Sequence, residues 1–231
     1  MNIKVLIMCG GKGSRLGDLT KNNPKPLIKI KGKTILEYKT RHYSKFGLNK
    51  YVFCIGFEGK KIIEYVKNID GHIEISDSGK NAGILKRIFN AKKLIEETAI
   101  ISYGDTFAEI DFSDLIQKHT DSEFNLTLVV APIVNPFGIV NWNEDNCVIS
   151  FEEKPVLNHF IGYMVLDKSV FEYIPRKIIN MPDGEGIVNL INYFLTLKKV
   201  GVYKFKGLQF TVNTKTELEK ATETIGKYHT I

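Results

Sequence analysis

Cysteine is scarce in this chain, and its placement excludes the common cysteine-based architectures. The 231 residues include only Cys9, Cys54 and Cys147, which are far apart and form no CxxC or Cys/His pairing. An odd number of widely spaced cysteines argues against a disulfide framework and against a zinc site. We therefore expect reduced thiols and a cytoplasmic location.

Long apolar runs and processing signals are also missing. No apolar run approaches the roughly 18–20 residues that a membrane-spanning helix needs. The N-terminal residues have the pattern of a strand that leads into a glycine loop, without a cleavable leader. The sequence contains no internal repeat and no low-complexity segment. We therefore expect no membrane association, and the length predicts a single domain over residues 1–231.

The charge balance is modestly basic. The 32 Lys and Arg residues exceed the 26 Asp and Glu residues, which gives a formal net charge of +6. Such a charge favours anionic partners, but the lysines are scattered along the chain and form no basic arm or helix. We therefore expect no nucleic-acid binding, because small phosphorylated substrates account for the charge equally well.

Strand and helix patterns alternate in the first half of the chain. The continuous apolar runs at residues 5–8 and 51–56 suit strands that are buried on both faces. Helical spacing is found at residues 35–46 and 60–66, and a further strand pattern follows at 73–76. This order predicts an α/β fold, a Rossmann-like three-layer sandwich with a mostly parallel central sheet and helices on both faces.

A glycine-rich loop follows the first predicted strand. Its sequence is Gly10-Gly11-Lys12-Gly13-Ser14-Arg15, and Lys25 lies shortly after it. Converging peptide N–H groups in such a loop bind anions, and ligands of open α/β sheets bind at the carboxyl ends of the strands. The loop therefore predicts a diphosphate or triphosphate site. It fits neither a Walker A loop nor the dinucleotide fingerprint, which would need glycine in place of Leu16.

The glycine loop belongs to a longer pattern. The segment GGKGSRL, followed by Thr20 and PKPL, resembles the signature GGxG[ST]RLxxxTxxxPKP of the sugar-phosphate nucleotidyltransferases. That family joins an NTP to a sugar 1-phosphate and releases pyrophosphate. The resemblance implies that Arg15 contacts the triphosphate and that Lys25 lies near the reacting phosphates. The nucleotide-binding residues that it implies in this segment are Gly10, Gly11, Gly13, Ser14, Arg15 and Lys25.

A second loop, at residues 77–83, opens a predicted helix at 84–95. The N-terminus of that helix would offer free N–H groups to an anion, although an ordinary helix cap explains the loop equally well. The segment DSGKNAGILKRI resembles the branch of the family that transfers a cytidylyl group to glucose 1-phosphate. The resemblance implies a nucleotide-binding half over residues 1–110, in which Ser78, Gly79 and Gly83 contact the base. CTP is the favoured nucleotide, with GTP and UTP as alternatives.

Two oxygen-bearing side chains are candidate metal ligands. Asp105 follows the predicted strand at 99–102, and Mg²⁺ is usually held by one or two carboxylates together with phosphate oxygens and water. A single Asp in a loop is more often a turn or cap residue, but the family resemblance implies a magnesium ligand. The resemblance implies a second ligand at position 213, where many members carry Asp and this chain has Asn213. An amide oxygen can still bind Mg²⁺, with less charge.

Later motifs imply a sugar-phosphate-binding half over residues 111–231. The segments around Gly138 and around Glu153-Lys154-Pro155 resemble family segments that lie along the sugar. The resemblance implies that Glu153 binds a sugar hydroxyl and that Lys154 binds the sugar phosphate, although a surface Glu-Glu-Lys turn is usually only solvated charge. Gly162, in a predicted strand at 160–166, could let the sugar ring approach, or could simply relieve packing.

The resemblance implies an EC 2.7.7-type enzyme that makes an NDP-sugar for a surface glycan, either capsule or lipopolysaccharide. Arg15, Lys25 and Asp105 are its implied catalytic residues. The sugar phosphate is already an anion, so the chemistry needs charge neutralisation and alignment and no covalent residue. A glycosyltransferase is an alternative, but the chain lacks that class's usual Asp-x-Asp motif. Asn213 also leaves open a non-catalytic nucleotide-sugar-binding regulator. A small apolar edge could support a homodimer.

Overall fold

Strands and helices alternate along residues 3–228, the part of the chain that this computed structural model describes. Met1, Asn2 and residues 229–231, which the predicted domain also includes, lie outside the described residues. The strands are β1 (Lys4–Met8), β2 (Lys29–Ile30), β3 (Lys33–Thr34), β4 (Lys50–Ile55), β5 (His72–Asp77), β6 (Thr98–Tyr103), β7 (Thr106–Ala108), β8 (Leu126–Val134), β9 (Ile139–Trp142), β10 (Val148–Glu152), β11 (Val156–Asp167), β12 (Val200–Lys204) and β13 (Gln209–Thr211). The helices are α1 (Ile35–Ser44), α2 (Gly59–Val66), α3 (Ile84–Asn90), α4 (Phe112–Thr120), α5 (Val170–Tyr173), α6 (Arg176–Ile179), α7 (Glu185–Thr196) and α8 (Lys215–Tyr228).

A seven-stranded sheet forms the centre, in the order β12-β8-β11-β6-β1-β4-β5. Strands β6, β1, β4 and β5 run parallel to one another, and β8 and β12 run parallel to each other. Strand β11 lies between these two groups and is antiparallel to both β6 and β8. The prediction of a mostly parallel sheet is confirmed, and the antiparallel β11 is the feature that the sequence pattern did not reveal.

The sheet is buried on both faces. Along β1, Val5 and Ile7 pack with helices α1, α2 and α4, whereas Leu6 and Met8 pack with α3 and the α5–α7 segment. Successive side chains of a strand point to opposite faces, so a continuous apolar strand needs a helical layer on each side. This confirms the predicted three-layer arrangement. Within residues 3–228, no helix is long and apolar enough to cross a bilayer.

A small antiparallel sheet of β7 and β13 lies beside the central sheet. It packs with α1 and α8 in a separate apolar cluster that includes Phe107 and Phe210. The pairing returns residues near the C-terminal end of the described chain to the carboxyl end of β6. Two segments that are about one hundred residues apart in sequence are therefore neighbours in space.

Residues 132–158 extend from the central sheet as an arm. It consists of the outer ends of β8 and β11 and of the hairpin β9–β10, and most of its residues are exposed. The strand predicted at 148–151 is thus confirmed as β10, although it pairs with β9 in the arm and not in the central sheet. The arm carries ten apolar side chains that are 40–74% exposed: Ile133, Val134, Phe137, Val140, Trp142, Val148, Ile149, Phe151, Val156 and Leu157.

Helix α3 is shorter than the prediction of residues 84–95. The α-helix ends at Asn90, and residues 91–94 continue as a 3₁₀ turn. The tighter turn is closed by the amide of Ile95, which donates to the carbonyl of Lys92 three residues earlier. Tightening of a last turn in this way satisfies carbonyls that would otherwise lack a partner.

Candidate active site

A cleft of about 700 Å³ lies at the carboxyl ends of the parallel strands. Its walls come from the glycine loop after β1, the Pro24–Leu27 region, the second loop before α3, the end of β6 and the middle of β11. The predicted site residues that line it are Gly10, Gly11, Gly13, Ser14, Arg15, Lys25, Asp105, Gly162 and Asn213.

Four polar side chains from distant segments converge in this cleft. The Nζ atom of Lys25 lies 3.0 Å from Oδ2 of Asp105 and donates to Oδ1 of Asn213 at 2.8 Å. Arg15 donates from Nη2 to the same Asn213 oxygen, also at 2.8 Å. Two cations thus share an amide oxygen, and one carboxylate lies beside them. The arrangement places positive charge directly beyond the glycine loop.

Backbone geometry of the glycine loop brings Lys25 into this cluster. Gly13 has φ of +65°, a left-handed conformation that glycine adopts without strain, and a Cβ there would lie 2.7 Å from Cγ of Lys25. Thr20 donates from its hydroxyl to the carbonyl of Gly13 at 2.8 Å and so closes the loop. Thr20 and Gly13 therefore maintain the conformation of the glycine loop.

Asn213 is positioned by the small sheet and by the cap of α8. The amide of Val212 donates to the carbonyl of Asp105 at 3.0 Å, which continues the β7–β13 pairing into the cleft. The Glu217 carboxylate accepts from the amides of Asn213 and Thr214, and the Thr214 hydroxyl accepts from the amide of Glu217. This reciprocal capping fixes the start of the helix. Thr214 thus caps α8, while Asn213 faces the cleft.

The second loop contributes to the cleft through its centre. Lys80, Asn81 and Ala82 line the cleft, whereas the predicted base-contacting residues Ser78, Gly79 and Gly83 flank them. The amide of Gly79 donates to the Asp77 carboxylate at 2.8 Å, and the Asn90 amide group donates to the Ser78 hydroxyl at 2.9 Å. A Cβ on Gly83 would overlap the carbonyl of Met181, so this glycine serves packing.

The predicted sugar-binding residues divide into two groups. Gly162 lines the cleft with φ of +79° and packs against the Tyr103 ring. Gly138, Glu153 and Lys154 lie in the arm, outside the residues that line the cleft. Lys154 and Glu153 are both exposed, with 3.8 Å between Nζ and Oε1. Residues His159, Phe160 and Ile161, at the base of the arm, line the cleft instead and were not predicted.

Known proteins match this chain over nearly its full length. The sequence pattern of the family described as "Nucleotidyl transferase" matches residues 4–226. This chain belongs to the nucleotidyl transferase family. The predicted family and the predicted EC 2.7.7-type transferase activity, which uses a nucleotide and a sugar phosphate, are thereby confirmed.

Individual relatives of this nucleotidyl transferase carry different substrate names. The "probable glucose-1-phosphate cytidylyltransferase" of Bacillus subtilis is 29% identical, with 92% of each chain covered. The D-glycero-alpha-D-manno-heptose 1-phosphate guanylyltransferase of Campylobacter jejuni is 31% identical over 73% of this chain and 78% of the relative. Among solved structures, HddC from Yersinia pseudotuberculosis complexed with GMP-PN has a TM-score of 0.73 at 22% identity and covers 96% of this chain and 99% of that chain. The structural match supports the α/β fold.

A buried lysine of the transferase lies behind Asp105 and was not predicted. Lys39 of α1 donates from Nζ to the carbonyl of Thr106 at 2.5 Å and to the Tyr163 hydroxyl at 2.6 Å. Its burial lowers the pKa of Lys39 to about 7, an effect that the charge of Asp105 partly offsets. One sequence signal could have indicated this position, because Lys39 follows Leu36 by three residues and precedes Tyr43 by four, on the buried face of the helix.

The two buried cysteines near the cleft, Cys9 and Cys54, are not reactive thiolates. Cys9 lies at the cleft floor, and burial raises its pKa well above the ordinary value for a thiol. Burial likewise raises the pKa of Cys54, on the adjacent strand, to about 12. Both side chains are therefore protonated at neutral pH and behave as small apolar groups.

Proposed function

We propose that this enzyme transfers a cytidylyl group from CTP to a sugar 1-phosphate, and that the CDP-sugar is used to build a capsule or lipopolysaccharide. The observation that carries the proposal is the convergence of Arg15, Lys25, Asp105 and Asn213 at the glycine loop. The segment before and within α3 and the Bacillus subtilis relative favour CTP. The Campylobacter jejuni relative keeps GTP as the second candidate nucleotide.

The proposed reaction is an in-line displacement. A phosphate oxygen of the sugar 1-phosphate attacks the α-phosphorus of CTP, and the bond between the α-phosphorus and the pyrophosphate oxygen breaks. Arg15 offsets the charge of the leaving pyrophosphate, and Lys25 neutralises charge at the α-phosphate. These roles need no general base, because the attacking oxygen is already ionised.

The residues present fit a magnesium ion. Oδ2 of Asp105 and Oδ1 of Asn213 both contact one cation, the Lys25 ammonium, at 3.0 and 2.8 Å. Mg²⁺ prefers such oxygen donors and completes its shell with water and substrate phosphates. Within the described residues, no group of three or more His, Cys, Asp or Glu side chains could hold a metal. We propose that Asp105 and Asn213 bind Mg²⁺, which when bound supplies charge neutralisation between the two substrates.

The sugar-phosphate site is proposed to include both Gly162 and the arm. Gly162 leaves the floor of the cleft open beside the Tyr103 ring. Gly138 lies against the Phe151 ring and the Glu153 carboxylate, so the arm holds the three remaining predicted residues in one place. We assign Glu153 to a sugar hydroxyl and Lys154 to the sugar phosphate, in line with the sequence prediction.

The arm also supports a homodimer. Its ten exposed apolar side chains leave roughly 1,000 Å² of accessible surface, since a large apolar residue has about 150–250 Å² in all. This total is divided between the two faces of the arm, because strand neighbours such as Val148 and Ile149 point to opposite sides, and it is comparable with the roughly 800 Å² that each partner buries in a stable interface. We propose that a second copy of this chain covers the arm. Light scattering should give a dimer for the wild type and for the control Val188→Asp, and a monomer for the double variant Trp142→Asp/Phe151→Asp. A monomeric wild type would contradict this.

A cytoplasmic location is part of the proposal. Cys9, Cys54 and Cys147 are all free thiols, and Cys147 is exposed. Free exposed thiols persist in reducing compartments.

The decisive experiment measures pyrophosphate release with Mg²⁺, a panel of sugar 1-phosphates, and CTP, GTP, UTP, dTTP or ATP in turn. We expect release with CTP at a rate at least about tenfold above that of any other nucleotide. Equal or faster release with GTP would reject the cytidylyl assignment and favour the second candidate. If none of the five nucleotides gives pyrophosphate release, the catalytic assignment of the cleft is contradicted.

A further inference from the structure

A buried arginine joins the two loops that face the nucleotide. Arg87 of α3 is only 3% exposed. It donates from Nη1 to the carbonyl of Ile55 at 2.5 Å, and from Nη2 to the carbonyls of Gly10 and Gly79 at 3.1 and 3.0 Å. One guanidinium therefore holds the end of β4, the glycine loop and the second loop.

The charge of Arg87 is satisfied without a carboxylate. Among residues 3–225, whose side chains the structure describes, no ion pair within 4.0 Å involves Arg87, and its named partners are backbone carbonyls. A planar guanidinium presents several donors in a fixed fork, whereas a lysine ammonium is a compact point charge. Three carbonyls on separate segments therefore need arginine at this position, and lysine cannot replace its geometry.

Two glycines provide the space for this contact. A Cβ on Gly10 or on Gly56 would overlap the Arg87 guanidinium. A Cβ on Gly56 would also overlap the carbonyl of Gly79, in the second loop. Neither Gly10 nor Gly56 has the positive φ that would demand glycine for backbone reasons. The close approach of the arginine and the second loop is what requires them.

The second loop is also held at its two ends, where Asp77 pairs with Ile55 in the central sheet and the amide of Ile84 donates to the carbonyl of Asp183 at 3.0 Å. Its described backbone and side-chain contacts include the Ser78 amide to Ile55, the Asp77–Gly79 turn and the Asn90–Ser78 hydrogen bond. Of these, only the first reaches another strand end, at 3.4 Å. Between these ends, the Arg87 guanidinium contacts both the second loop and the glycine loop, so it ties the cleft-lining residues Lys80–Ala82 to the glycine loop.

We propose that Arg87 is a positioning residue that sets nucleotide selectivity by holding the second loop at a fixed distance from the glycine loop. The inference rests on the proposed function and on the prediction from the family resemblance that the second loop contacts the base. Loss of the Arg87 contacts lets the second loop move relative to the triphosphate, and a misplacement of about 1 Å in such a site can cost about 10²-fold.

The test compares Arg87→Lys, Arg87→Met and Gly56→Ala with the wild type. Lys86→Met is the matched control, because it removes one positive charge from the neighbouring, half-buried position of the same helix. Binding of CTP, GTP and UTP is measured by calorimetry with each folded variant, and folding is checked by circular dichroism. We expect the ratio of CTP affinity to GTP and UTP affinity to fall by about tenfold or more in all three variants, and to stay within about twofold in the control.

The outcomes separate the inference from the proposed function. Suppose that the wild type discriminates among nucleotides and that the Arg87→Lys and Gly56→Ala variants discriminate equally well. This result would contradict the inference about Arg87 and leave the proposed function standing. Full selectivity in Arg87→Lys would show that charge suffices and would also reject the inference. If the Arg87 variants do not fold, Gly56→Ala decides, because it retains the arginine and displaces it. A wild type that binds no nucleotide contradicts the proposed function itself.

Discussion

Two lysines lie on opposite sides of the segment Asp105–Thr106, and their surroundings differ. Lys25 faces the cleft, and its partners are the side-chain oxygens of Asp105 and Asn213. Lys39 lies behind the segment at 1% exposure, and its partners are the Thr106 carbonyl and the Tyr163 hydroxyl. The same residue type therefore provides a charge that lines the cleft on one side and a support buried behind the loop on the other.

The difference follows from what each ammonium contacts. The side-chain oxygens of Asp105 and Asn213 line the cleft, so the proposed substrate phosphates could replace them as partners of the Lys25 ammonium, although Lys25 itself is 9% exposed. The carbonyl and phenol around Lys39 are fixed by the packing of α1, β7 and β11, and they carry no formal charge to compensate a buried cation. We therefore expect Lys25 to govern turnover and Lys39 to govern stability.

The largest loss of turnover is expected when a charged side chain is removed from the cleft side of the Asp105–Thr106 segment. Lys25→Ala and Asp105→Ala should each lower kcat by about 10²–10³-fold, the usual loss for one preorganised charge, while the protein remains folded. Pyrophosphate release measures turnover and thermal unfolding checks folding. Lys21→Ala, an exposed lysine in the same loop, serves as the control and should retain activity. Near-wild-type turnover in both cleft variants would refute the assignment.

A smaller effect should follow from adding charge to the cleft side. Asn213→Asp supplies a second carboxylate where the amide oxygen now lies, and calcium and magnesium sites bind more tightly as the number of charged ligands rises. The Mg²⁺ concentration for half-maximal activity should fall by about tenfold, or ~1.4 kcal/mol. Asn213→Ala should raise it. An unchanged Mg²⁺ requirement in both variants would remove Asn213 from the metal site.

The smallest effect on turnover is expected on the buried side. Lys39→Met should keep activity within about threefold, because the Tyr163 hydroxyl still donates to the Thr106 carbonyl at 3.0 Å. Burial lowers the pKa of Lys39 to about 7 in the folded chain, from 10.5 in the unfolded one. Between these values the unfolded chain binds more protons, so the contribution of Lys39 to stability rises with pH above 7 and is flat below it.

Because the contribution of Lys39 to stability rises with pH above 7, the wild type and Lys39→Met should differ measurably in the pH dependence of their stability. The free energy of unfolding of the wild type, minus that of the variant, should increase from pH 7 to pH 9 with a slope of up to about 1.4 kcal/mol per pH unit. Urea unfolding at pH 6, 7, 8 and 9 measures it. Parallel stability curves for the two proteins would show that Lys39 does not titrate in this range.

Sequence reasoning found the cleft-side residues because they belong to local patterns. Arg15 lies in the glycine loop, Lys25 follows it and Asp105 follows a strand, so the rule for strand ends favoured their proximity, while the family resemblance supplied their predicted roles. Asn213 depended on the family resemblance, since its position comes from the pairing of β7 with β13, which no local pattern predicts.

The buried residues were missed for a related reason. Arg87 and Lys39 have the sequence appearance of surface cations on helices, and their roles depend on distant partners: Gly10 for one and Tyr163 for the other. The antiparallel placement of β11 and the projection of the arm were missed as well, because strand direction is set by pairing partners and not by apolar patterning.

Strand β11 has a mechanical consequence for the cleft. Its inner residues, 163–167, pair with β6 on one side, whereas its outer residues, 156–160, pair only with β8 and run from the arm to its base. The register shifts between Phe160 and Met164, and Gly162 lies at that shift, against the Tyr103 ring. Because β11 is continuous from the arm to the cleft, a displacement of the arm would be transmitted along this strand to Gly162 and to the Tyr103 ring that it contacts.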